Sequence, residues 1–150
     1  MAARTATPEI IPCAAPRRSA AALIAVPEPV RIDAGGITTR LRVNADEPCF
    51  AGHYPGFPIL PGVLLIDTVD RSVRQFIVER GLGPVELAEV RSTRFLAPVF
   101  PGDEVTTECT VKRVDDTLAV NARCATGNGA AASVRVRYRL RDGWVPAEAG

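Results

Sequence analysis

The chain has 150 residues, 47% of them hydrophobic, which is the length and apolar content of one domain built on one core. Its 18 basic and 17 acidic residues nearly cancel, which excludes the broad positive field of a nucleic-acid or anionic-membrane binder, so any anionic partner has to be read by a local patch. Cys13, Cys49, Cys109 and Cys124 are too scattered and His53 too isolated to form a zinc set, and no stretch reaches the roughly 18 consecutive apolar residues of a membrane span.

Residues 1–7 read as a loose tail, 8–142 as one domain and 143–150 as a second tail. Within RRSAAALIAV two arginines precede an apolar run, but the run is short and lacks a cleavage site. It is read as part of the fold, with the thiols reduced in a cytoplasm. Pro8 to Pro16 has room for one short helical turn, and Ala20 to Val26 reads as a buried strand. After Gly35 and Gly36, ITTRLRVN alternates as a strand, and the loop GHYPGFPILPG follows. From Gly62 the period changes. Val63, Ile66, Val69, Val73, Phe76 and Ile77 recur every three or four residues, which predicts one long helix ending near Gly81. LAEVRSTRFLAP, DEVTTECTVKRVDD, LAVNARCATG and AASVRVRYRLRD, separated by PGD, DDT and GNG, predict an antiparallel meander. The expected class is α+β: a long helix covered by five or six antiparallel strands.

The loop carries the chemistry. Pro55, Pro58 and Pro61 fix φ, while Gly52, Gly56 and Gly62 permit unusual dihedrals, so the segment is stiff enough to hold His53 and deliver the chain into a helix. A helix starting at Gly62 points unpaired N–H groups outward, suited to a carbonyl oxygen that gains negative charge. Asp67 lies at the edge of the apolar stripe and can face a semi-buried cavity. An imidazole that takes a proton beside a carbonyl and a carboxyl that hands one to a leaving hydroxyl together suit β-elimination of water.

AGHYPGFPILPGVLLIDTV resembles the signature of the 3-hydroxyacyl-acyl-carrier-protein dehydratases, which have the hotdog fold. VRSTRFLAPVFPGDEV resembles a second block of the same family, and the likeness runs over roughly residues 9 to 140. It implies a helix wrapped by an antiparallel sheet, protomers paired edge to edge, and active sites at the dimer interface. By matching positions, His53 is the base, Asp67 of the partner chain is the acid, and the Gly62 N–H polarises the thioester carbonyl. The substrate implied is a 3-hydroxyacyl chain on the phosphopantetheine of acyl carrier protein, in a tunnel lined by Phe57, Pro61, Val63, Leu64, Arg71 and Phe95. No metal or nucleotide cofactor is implied.

Two departures stand out. Aspartate at position 67 is compatible both with simple dehydration and with the branch that also isomerises the double bond. Arg71 stands where the family usually has glutamine, and an arginine four residues after an aspartate can pair with it, favouring the charged form and weakening it as a proton donor. Arg71, Arg74, Arg91 and Arg94 are candidates for a carrier-protein docking surface, with an ordinary solvated surface as the plain alternative. The role implied is in fatty acid or polyketide/polyene biosynthesis, and the poorly matching N-terminal region points to a specialised member serving polyketide or polyene assembly. The alternatives are a hotdog thioesterase and a catalytically weak acyl-binding subunit that completes a heterodimer instead of forming a homodimer.

Overall fold

The computed structural model describes residues 23–52 and 58–141. In chain order these form β1 (Glu28–Asp33), β2 (Gly36–Arg42), the short α1 (Cys49–Gly52), the long α2 (Gly62–Glu79), β3 (Val85–Phe95), β4 (Glu104–Val114), β5 (Thr117–Thr126) and β6 (Gly129–Leu140). The six strands make one antiparallel sheet in the order β1-β2-β4-β5-β6-β3, and α2 packs across one face. Alternation does the work here: Val105, Thr107, Cys109 and Val111 of β4, Leu118, Val120, Ala122 and Cys124 of β5, and Val134, Val136, Tyr138 and Leu140 of β6 are buried, while their neighbours are largely exposed.

Three expectations need correction. Residues 23–26, the described part of the expected Ala20–Val26 strand, are not in the sheet, because the amides of Ile24 and Ala25 donate to the Glu47 carboxylate. The first strand is β1, which tolerates Pro29 because it is an edge strand. The meander holds for β4-β5-β6, but β3 pairs with β6 at the far edge, because α2 carries the chain across the sheet first. The helix stripe is also rotated. Val63 is 65% exposed, while Leu64, Leu65, Thr68 and Ser72 are buried beside Val69, Val73, Phe76 and Ile77. Thr68 and Ser72 can go inside because their hydroxyls donate to the carbonyls of Leu64 and Thr68, and Ser72 in turn accepts from Thr39 of β2 at 2.8 Å. The expected turn at Pro8 to Pro16 lies outside the described residues.

The end of α2 is set by Gly81 at φ 65°, with Leu82 N donating to Ile77 O and Gly81 N to Val78 O, the paired bonds of a glycine C-cap. Deeper in, the Tyr138 hydroxyl donates to Asp70 Oδ1 at 2.6 Å, and Arg74 pairs with the same carboxylate while lying over the Tyr138 ring. Burial, with the Asp70 hydrogen bond and charge adding to it, pushes the phenol far above the ordinary tyrosine range. Tyr138→Phe is therefore expected to cost about 1–2 kcal/mol, read as a lower denaturant midpoint at unchanged slope, since Asp70 keeps Arg74.

Candidate active site

The chain reaches the helix through residues 58–61, where Leu60 N donates to Val99 O at 2.8 Å and ties the loop end to the segment after β3. That segment turns at Pro101, Gly102 and Asp103, whose carboxylate accepts the Phe100 N–H, so these residues form a turn, as their sequence indicates. Pro61 is the N-cap of α2 and has no side-chain acceptor to offer. Its carbonyl takes the Leu64 N–H, and among the described residues the N–H groups of Gly62 and Val63 have no acceptor. They leave a partial positive charge at the helix start. A Cβ at position 62 would lie 2.6 Å from the tip of the exposed Phe95 ring, which sits over this end of the helix and would have to turn aside.

Asp67 is one and a half turns further on, with 34% of its side chain exposed. Arg71 Nε lies 3.1 Å from Asp67 Oδ2, the ion pair expected from the i, i+4 spacing. The N–H is nevertheless not aimed at that oxygen. Asp67 Oδ2 is buried and has no hydrogen-bond partner among the described residues. The Arg71 guanidinium is turned elsewhere, donating from Nη1 to the Ala25 carbonyl at 3.0 Å.

Of the residues singled out by the sequence, Pro61, Gly62, Val63 and Phe95 meet at the helix start, and Asp67 and Arg71 meet along the helix. Leu64 is turned into the core. His53 and Phe57 lie outside the described residues. The four arginines do not form one cluster in the protomer. Arg71 and Arg74 are on α2, engaged with Asp67 and Asp70, whereas Arg91 lines a pocket on the opposite face of the sheet with Asn121, Arg135 and Arg137. Arg94 is opposite Ser133, next to the inward-facing Val134, and so also belongs to that outer face.

Glu47, Ala25 and Gln75 had no local signal in the sequence. Glu47 is 4% exposed and 22 and 23 residues from the amides it binds, and Gln75 donates to the Pro27 carbonyl at 2.7 Å. The cysteines Cys49, Cys109 and Cys124 are core residues. Burial pushes Cys109 up to about 12, with Cys124 adding to it, and burial also raises the other two, so these thiols stay protonated. Among the described residues no group of three His, Cys, Asp or Glu side chains is placed to hold a metal, and no helix is long and apolar enough to cross a membrane.

The sequence matches the ApeI-like family, described as ApeI dehydratase, over residues 30–135. It is 32% identical over 91 residues to a 3-hydroxyacyl-[acyl-carrier-protein] dehydratase FabZ of Hydrogenobaculum sp., covering 57% of this chain and 62% of that one. It is 32% identical over 108 residues to the FabZ of Symbiobacterium thermophilum, covering 69% and 76%. The match spans 49% and 50% of the length of two further FabZ relatives. Among solved structures, the dehydratase heterocomplex ApeI:P of Xenorhabdus doucetiae superposes with TM-score 0.63 at 17% identity, over 75% of this chain and 97% of that one. A hypothetical thioesterase of Streptococcus pneumoniae with coenzyme A gives 0.62 at 14%, over 77% and 85%. A six-stranded antiparallel sheet against one long helix is the hotdog fold these proteins share, and with residues 30–135 matched the chain belongs to the ApeI-like dehydratase family.

Proposed function

We propose that this chain eliminates water from a 3-hydroxyacyl thioester carried on acyl carrier protein, giving the trans-2-enoyl thioester in fatty acid or polyketide assembly. His53 takes the C2 proton, the Gly62 N–H steadies the oxygen of the resulting enolate, and Asp67 of the neighbouring protomer gives a proton to the departing C3 hydroxyl, which leaves as water. No metal or nucleotide takes part. The observation that carries the reading is the Asp67 carboxylate: one of its oxygens is buried and, among the described residues, receives no hydrogen bond, and it lies near a helix start whose first N–H groups are likewise free among the described residues.

The edge strand supports pairing of two protomers. β3 is 11 residues long, is hydrogen-bonded on one side only within the sheet, and exposes Leu87, Val90 and Phe95. A long apolar edge is a template for another strand, here a second copy or a homologous hotdog subunit.

Incubation with a 3-hydroxyacyl carrier protein, followed by intact-mass spectrometry, is expected to give the mass of the substrate less one water. Release of free carrier thiol would instead assign thioester hydrolysis. The Arg71 guanidinium beside Asp67 favours a second reading, a weakly active subunit, for which the carrier binds without mass change until a homologous subunit is added.

A further inference from the structure

Glu47 is a buried carboxylate that the proposed reaction does not use. It sits in the turn before α1, where its amide donates to Asn44 O and its carbonyl accepts from Phe50 N. A carboxylate at 4% exposure needs strong donors, and Glu47 takes two backbone amides, Ile24 N to Oε2 at 2.8 Å and Ala25 N to Oε1 at 2.9 Å. Ala25 is thereby gripped at both ends, its N–H by Glu47 and its carbonyl by Arg71 Nη1. One turn along, Gln75 holds the Pro27 carbonyl, so the segment before β1 is fastened across α2 at two points.

The fastening has a consequence for Asp67. Arg71 Nε is close enough to donate to Oδ2 but is not aimed at it, and the guanidinium hydrogen-bonds through Nη1 to Ala25 O instead. We propose that Glu47 is a positioning residue for Asp67: by fixing the Ala25 carbonyl as a competing acceptor, it keeps the Arg71 guanidinium from donating to the Asp67 carboxylate. This rests on the reading of Asp67 as the acid.

On α2, Asp70 is held by Arg74 and Tyr138. On β1, Arg31 and Asp33 pair with each other, and β2 and β4 turn Thr39, Thr107 and Cys109 towards the core, with Arg40 and Glu104 paired on the exposed side.

The sign follows. When Glu47 is neutralised, Ala25 loosens, Arg71 swings onto Oδ2, and the charged carboxylate gains a direct donor, so Asp67 releases its proton at lower pH. A general acid works while protonated, so the alkaline limb of the kcat profile is expected to move down by about one pH unit in Glu47→Gln, and up in Arg71→Gln. In the double variant, Glu47→Gln is expected to add no shift, because the guanidinium it restrains is gone. Glu47→Asp keeps the charge but reaches only one of the two amides, and is expected to shift the limb the same way by less. The same midpoints are read independently of turnover from the carboxyl carbon of Asp67 by NMR. If Asp67→Asn retains turnover, the acid assignment fails, while the NMR titration still answers for Glu47. An Asp67 midpoint unmoved by Glu47→Gln and Glu47→Asp, or moved equally with and without Arg71, overturns the proposal.

Discussion

Asp67→Asn is expected to lower dehydration by about 10²–10⁴-fold, the range a positioned general acid contributes, while leaving a folded protein. An asparagine amide has the same shape but no proton acidic enough for a leaving hydroxyl. Stability should barely move. Among the described residues Asp67 Oδ2 makes no hydrogen bond to lose, and its ion pair with Arg71 is one-third exposed, a class worth about 0–1 kcal/mol. The kcat/KM of the variant and its urea midpoint separate the two effects. A variant that turns over carrier-bound substrate near the native rate removes Asp67 from the chemistry, and one that loses its cooperative unfolding transition assigns the residue to the fold.

The parts of this molecule visible in the sequence are those set by local physics. Strand alternation from β4 to β6, the glycine stop at Gly81 and the i, i+4 pair of Asp67 and Arg71 all depend on residues a few positions apart, and each is found as read. What the sequence hides depends on distant partners. The Leu23 to Val26 segment has strand-like composition, yet a carboxylate 22 and 23 residues away takes its amides. Thr68 and Ser72 look like surface residues until Thr39 and the helix carbonyls satisfy them. The place of β3 beside β6 cannot be read from β3 itself, since none of its residues is buried in the protomer and only the inward-facing Val85 and Thr93 are partly covered.

The shared-site reading makes a demanding prediction. His53→Ala alone and Asp67→Asn alone are each expected to be nearly inactive, and mixing the two after co-expression, or after reversible dissociation, is expected to restore turnover. If each site takes its histidine from one protomer and its aspartate from the other, a mixed pair has one site with both groups damaged and one with both intact. Random pairing makes about half of the dimers mixed, each with one of two sites working, so activity should return to about one quarter of native. Sites contained within a single protomer give no recovery at any mixing ratio, because every site then lacks one group. Charge substitution along the open edge, such as Val90→Lys, is expected to abolish the recovery together with the dimer, since a buried lysine facing its own copy opposes pairing. Val90→Lys chains that still run as dimers and still show the recovery would place the shared surface somewhere other than β3.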